Sequence, residues 1–223
     1  MSYDPGVPGV ALFDMDRTLV RKNTAQLYVR YQRSIGEATW RDSARVAWWM
    51  AQYTLGVIDA EAIAVEALRV LEGMPETVMA TRCDDWFHRD VAQHISDEAR
   101  RTVHRHLDAG DVCAIVTGAS RYAAQPVARA LGIPHVVFTE LECDDNGNFT
   151  GRHVPPLCYG AGKIERTERL AREHGFSLAE AAFYSDSISD LPLMEAVRTP
   201  VAINPDVRLR RVARSRGWRI ERW

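Results

Sequence analysis

The sequence predicts a parallel α/β sheet with helices on both faces, split after its first strand by an all-helical insert. Three observations predict it. Short continuous apolar runs recur along the chain, as strands buried on both faces require. Stretches of helical spacing separate those runs, which implies helical, right-handed crossovers between parallel strands. Roughly 70 residues following the first run have helical texture only.

The elements follow in order. Val10-Ala11-Leu12-Phe13 ends in carboxylates and reads as the first buried strand. In the insert, Ala60, Ile63, Ala64, Ala67, Leu68 and Leu71 form one apolar helix face, with Asp59 as N-cap. Gly73-Met74-Pro75 breaks that pattern. A helix over 97–109 leads through Gly110 to a strand at 112–116, then Thr117-Gly118. A helix over 122–131 and a strand at 135–138 come next. The turn signal of residues 144–148, Asp-Asp-Asn-Gly-Asn, joins 139–143 to 149–153 as a hairpin. A helix over 163–174, a strand at 181–184, a further helix and a strand at 201–203 complete the alternation. The core therefore comprises 1–20 and 94–223, and the insert 21–93. The most apolar stretch, 44–58, contains Arg45 and Gln52 and is too short to span a bilayer. It reads as a buried helix.

With 223 residues, the chain suits one large domain or a domain with a sizeable insert. Hydrophobic residues at 46% and charged residues at 26% exclude disordered and fibrous classes. Lys+Arg at 28 against Asp+Glu at 30 gives a net charge of -2. That balance supplies no overall field for nucleic acid or an anionic membrane. No nucleic-acid partner and no stable membrane association are expected. Cys83, Cys113, Cys143 and Cys158 form no CxxC pair, so reduced thiols in a cytoplasmic protein are expected. The first residues lack a basic region followed by a long apolar core, so no signal peptide is expected.

Open parallel sheets bind ligands beyond the carboxyl ends of their strands. There the sequence places Asp14-Met15-Asp16-Arg17-Thr18, Thr117-Gly118, and Ser185-Asp186-Ser187-Ile188-Ser189-Asp190, with Lys163 opening a helix. Two carboxylates two residues apart repel, and need a cation, a shared proton, or both. Four aspartates against one lysine leave about three negative charges, which suits Mg²⁺ with its oxygen ligands and retained waters. Asp190, just before Leu191-Pro192, also fits a helix cap. Gly160-Ala161-Gly162-Lys163 is no P-loop, because Leu157 and Ile164 stand where Gly and Ser/Thr are needed. No Gly-x-Gly-x-x-Gly follows a strand, so a dinucleotide site has no support.

Phe13-Asp14-Met15-Asp16-Arg17-Thr18-Leu19 resembles the DxDxT signature of the haloacid dehalogenase-like superfamily. Val116-Thr117-Gly118 resembles its second motif, Lys163 its third, and the 185–190 segment its acidic fourth. A helical insert directly after the first motif resembles the cap of the phosphoserine phosphatase-like branch. The resemblance implies a Rossmann-like core and a Mg²⁺-dependent phosphatase for a small phosphorylated metabolite. It assigns Asp14 as nucleophile and Asp16 as acid–base. It gives Asp14, Asp16 (through its backbone carbonyl) and Asp186 to the metal. Thr117, Gly118 and Lys163 would bind phosphate, with Asp190 orienting Lys163 or a metal-bound water. A phosphotransferase or mutase shares these motifs. A phosphoacceptor switch shares the clustered aspartates, Thr and Lys, but is about half this length.

The departures bear on substrate. Ser185 and Ser189 stand where that fourth motif often has Gly and Asn. Arg17 is bulkier than the residue frequent there, and reaches either toward substrate or along the cap seam. Phosphoserine phosphatases place a Glu five residues after the motif's Thr; here that position is Asn23. Their cap arginine aligns with Ala67, with Arg69 two residues away. Without both charged partners, phosphoserine is disfavoured and an amino-alcohol phosphate such as histidinol phosphate is expected. Trp40, Trp48, Trp49 and Trp86, with Tyr28, Tyr31 and Tyr53, read as the insert's core or as a pocket. His104 and His106 face different ways, against a metal role, and the arginines from Arg208 to Arg219 read as a solvated face.

Overall fold

Alternation along the first strand divides the molecule into two faces. In β1 (Val10–Phe13), Val10 and Leu12 point to one side of the sheet, Ala11 and Phe13 to the other. All four are buried, because helices cover both sides. The computed structural model describes residues 9–37 and 66–223.

The main sheet also contains β2 (Val112–Ser120), β3 (His135–Thr139), β6 (Ala181–Ser185), β7 (Thr199–Ile203) and β8 (Arg219–Glu221). Its six strands run in the order β3-β2-β1-β6-β7-β8, every neighbouring pair parallel. On the Phe13 face pack α1 (Thr24–Ser34), α2 (Glu76–Trp86), α3 (Asp97–Asp108) and α4 (Arg121–Leu131). On the Leu12 face pack α5 (Gly162–His174), α6 (Leu191–Ala196) and α7 (Val207–Ser215). The predicted hairpin is β4 (Leu141–Cys143) paired antiparallel with β5 (Phe149–His153). It stands at the sheet's edge and hydrogen-bonds the chain entering α2: Phe149 donates to Met74, and Glu76 to Gly147, each at 2.9 Å.

Two elements differ from the sequence reading. β2 runs on to Ser120, so Thr117 and Gly118 lie within the strand rather than after it. Its register against β3 shifts after Val116, and this irregularity turns the extra residues out over the sheet edge. β8 was not expected, because Arg219-Ile220-Glu221 is short, polar and mostly exposed. It forms by pairing Ile220 with Ala202 of β7, a long-range bond pattern with no local signature. Of the helix over 60–71 only 66–71 are described, with 66–69 helical; the 44–58 stretch falls wholly outside the described residues, as do Trp40, Trp48, Trp49 and Tyr53. No helix among the described residues is long and apolar enough to cross a membrane. The arginines of α7 are exposed while Leu209 and Ala213 are buried, the amphipathic arrangement expected of that basic run.

The described parts of 21–93 join the core's own cluster. Leu27, Tyr31, Met79, Cys83 and Trp86 are buried together with Phe13, Val91 and Val103. Trp86 is 1% exposed and meets Tyr28 edge-on, with ring centroids 5.4 Å apart. Tyr28, Tyr31 and Trp86 are thus core residues. Trp86→Ala should cost about 3–5 kcal/mol, read as a lower urea midpoint of one transition. Two resolved transitions would show that these helices unfold apart from the sheet.

Candidate active site

Strand geometry delivers the polar residues to one edge. Asp14 follows β1, and its N–H donates to Tyr184 O of β6 at 2.9 Å. The chain then leaves the sheet: Met15 turns into the core, and Arg17 takes a left-handed backbone with φ 56°. That reversal lets the Asp16 carboxylate accept the Thr24 N–H at 2.5 Å, at the first turn of α1. A carboxylate on a helix N-terminus is stabilised by the unpaired amides and the helix dipole.

Lys163 comes from the opposite side. The loop before α5 is held by the Arg166 guanidinium, which donates to the carbonyls of Pro156, at 2.6 Å, and Val154. A Cβ on Gly162 would fall 2.0 Å from Leu157 O, so only glycine allows this turn. The lysine enters the site 3% exposed. Its Nζ donates to Asp14 Oδ1 and to Asp190 Oδ2, each at 2.8 Å. The ring of Phe183 lies 5.7 Å from Nζ on a further side. Asp190 occupies the N-cap position of α6, yet its side chain makes no capping bond there. Its carboxylate pairs with Lys163 instead.

The fourth acidic segment is braced by a residue the sequence reading missed. Asp206 accepts the N–H groups of Ile188 and Leu209 at 2.8 Å, and its own N–H donates to Asp186 O at 2.8 Å. Asn204-Pro205-Asp206 before α7 carries the signature of a helix cap, and that signal was available in sequence. Ser185 donates to Asp190 Oδ2 at 2.6 Å, while Ser187 and Ser189 pair through their hydroxyls at 2.9 Å. Thr117 is buried and accepts the Ala119 N–H at 3.2 Å. Gly118 is exposed beside it, and Ser120 starts α4 without a side-chain cap.

The specificity candidates are dispersed. Asn23 caps α1, its Oδ1 accepting the Gln26 N–H at 3.1 Å. Arg69 is exposed and pairs with Glu66 at 3.0 Å. Arg17 is exposed; its guanidinium donates no hydrogen bond among the described residues, and its charge offsets a small part of the burial-driven rise of the Asp186 and Asp16 carboxyls. His106, by contrast, is spoken for: Nδ1 lies 2.6 Å from Asp111 and Nε2 2.9 Å from the Tyr184 hydroxyl.

Burial sets the electrostatics. Desolvation raises the Asp14 carboxyl to about 7; the Lys163 charge opposes this, and Asp190 and Asp16 add smaller repulsions. Asp186 is raised by the same burial and by Asp14. Asp16 is raised by burial, with the Thr24 hydrogen bonds opposing. Burial alone would lower Lys163, but Asp14 and Asp190 more than offset it and keep the ammonium charged. No three His, Cys, Asp or Glu residues among those described are grouped as a closed metal cage. The donors suit a hard cation that takes one or two carboxylates, a carbonyl and waters.

These shifts carry a sign. Three carboxyls with raised folded pKa values stabilise the chain below the unfolded carboxylate range and lose that contribution as pH rises through the folded values. His135, lowered by burial and His174, acts in the opposite sense, one group against three. In chelator-treated protein, Tm should fall from about pH 5 to about pH 8. A flat or rising Tm over that range would count against the excess of buried negative charge.

Comparison with known proteins places this geometry. A family model described as haloacid dehalogenase-like hydrolase matches residues 11–195. "Phosphoserine phosphatase SerB1" of Mycobacterium tuberculosis is 35% identical over 214 residues, covering 94% of this chain and 69% of that protein. "Histidinol-phosphatase" of Neisseria meningitidis is 28% identical over 216 residues, covering 95% of this chain and 97% of that protein. A crystal structure of a Bordetella pertussis protein of unknown function superposes with a TM-score of 0.89 at 32% identity, covering 96% and 98% of the two chains. The chain belongs to the haloacid dehalogenase-like hydrolases, in their phosphoserine phosphatase-like branch, and is a phosphatase.

Proposed function

We propose that the chain hydrolyses a small-molecule phosphomonoester through an aspartyl-phosphate on Asp14. One observation carries this reading: a buried ammonium holds Asp14 and Asp190 at 2.8 Å on the carboxyl edge of the sheet. Asp14 attacks phosphorus in line, and the ester oxygen leaves. Asp16, whose raised pKa favours its protonated form, donates a proton to that alkoxide. The same carboxylate then takes a proton from the water that cleaves the acyl-phosphate, and inorganic phosphate departs. Lys163, the Thr117 hydroxyl and the amides from Gly118 onward bind phosphoryl oxygens and meet the charge that develops on them.

Asp14, Asp186 and the backbone carbonyl of Asp16 would hold Mg²⁺; the unneutralised charge at Asp14 and Asp186 fits that cation. When bound, the ion neutralises that charge and polarises the phosphoryl group. We assign 21–93 as the cap that sets specificity. Residues 1–20 and 94–223 form the catalytic core. Four free thiols, three of them buried, support a cytoplasmic setting.

The substrate reading rests on two occupied side chains. The Asn23 oxygen is committed to Gln26, and Arg69 to Glu66, so neither supplies a charged contact to a phosphoamino acid. The Neisseria relative, named a histidinol-phosphatase, matches over nearly the full length of both chains. An amino-alcohol phosphate such as histidinol phosphate is therefore preferred over phosphoserine. Arg17, exposed next to Asp16, is the remaining specificity candidate, either toward substrate or along the cap seam.

Two outcomes test this. Asp14→Asn should retain less than about a thousandth of wild-type phosphate release while still folding, as a cooperative thermal transition would show; greater residual turnover rejects Asp14 as nucleophile. In a phosphate-release panel of amino-acid, amino-alcohol, sugar and nucleotide phosphates, phosphoserine should not lead. A kcat/KM advantage for phosphoserine of about tenfold, or about 1.4 kcal/mol, would overturn the substrate reading.

A further inference from the structure

Ser185 ends β6 and is fully buried, at a place where the family's fourth motif often has glycine. Its hydroxyl donates to Asp190 Oδ2 at 2.6 Å and accepts the Ser187 N–H at 3.3 Å. The same Asp190 oxygen accepts Lys163 Nζ at 2.8 Å. One carboxylate oxygen thus receives the serine and the lysine together. Asp190 is 1% exposed, so water cannot substitute freely for a lost donor. Ser187 and Ser189 do not replace it, because their hydroxyls bond each other.

We infer that Ser185 is a positioning residue: it fixes the plane of the Asp190 carboxylate and, through it, the Lys163 ammonium beside Asp14. The physical need is plain. A lysine ammonium is a compact charge on a flexible stem with rotatable donors, and its partners set its place. A short hydroxyl-to-carboxylate bond is of the charge-assisted, directional kind. Glycine at 185 supplies no such donor. In this chain the lysine's anchor is itself anchored, and the bond ties the end of β6 to the first turn before α6. The inference rests on the phosphatase reading in one respect, that Lys163 meets a phosphoryl group.

The test is a double-mutant cycle of Ser185→Ala and Asp190→Asn, with two readouts: steady-state phosphate release and calorimetric binding of inorganic phosphate. Ser185→Ala should lower kcat by about tenfold with KM changed less. Phosphate affinity should weaken in the same variant. In the Asp190→Asn background the serine substitution should cost less than about twofold in either readout. Ser185→Thr, which keeps the donor, should stay within about threefold of wild type. An equal loss in both backgrounds overturns the inference, and so does an unchanged kcat in Ser185→Ala. If the alanine variant does not fold, Ser185→Thr against Ser185→Val makes the same comparison at matched shape. A wild-type chain that binds phosphate yet hydrolyses no phosphomonoester defeats the phosphatase reading alone. The cycle is then read from phosphate affinity.

Discussion

The buried ammonium of Lys163 is the constraint on which the rest of the site depends. Taking a lysine charge out of water is costly, and only well-placed anions offset it. Here Asp14 and Asp190 stand on either side at 2.8 Å, and removing the lysine would leave both buried carboxylates uncompensated. Bringing the lysine there commits much of the neighbouring chain. Gly162 lets α5 start against Leu157, Arg166 holds the approach loop by its carbonyls, and the Thr167 hydroxyl accepts no such burden but donates to Lys163 O at 2.6 Å. These residues touch no reacting atom. They fix where the ammonium lies.

That one cation does not neutralise the edge of the sheet. Asp14, Asp16 and Asp186 all have carboxyls raised by burial. The folded chain therefore stores electrostatic cost at the place where chemistry occurs, a common pattern at functional sites. The Thr24 amide of α1 holds the Asp16 carboxylate, and Asp206 braces the backbone around Asp186. In the proposed reaction a cation would relieve that cost and Lys163 would receive the phosphoryl group, so stability given up locally would serve charged ligands.

The insert is tied to the same architecture by packing and by strands. Thr24 at the start of α1 donates to Asp16, so the first residues beyond β1 both orient an acid and begin a helix. The hairpin of β4 and β5 bonds the chain entering α2, and Glu76 there pairs with Arg121 at the start of α4. Movement of α2 relative to the sheet edge would have to break these links. The insert and the β2 terminus are coupled through a few named groups.

The sequence by itself determined the alternation of elements and the order of the charged residues. Apolar runs and helical periods are local, and Asp14, Asp16, Lys163, Asp186 and Asp190 stand in recognisable order. Their local chemistry was also legible: aspartates so placed repel and require cations. What tertiary structure decided is which of several compatible partners each side chain takes. Asp190 had equal claim to a helix cap until Lys163, 27 residues earlier, occupied its carboxylate. Asn23 stands where phosphoserine phosphatases place a charged contact, and the fold uses its oxygen to cap α1. Strand β8, the continuation of β2 and the Ser185 bond likewise arise from neighbours distant in sequence or set by a register shift. Composition and periodicity specify what a segment prefers; the partner it finally meets is fixed only when the sheet brings remote residues within hydrogen-bond distance.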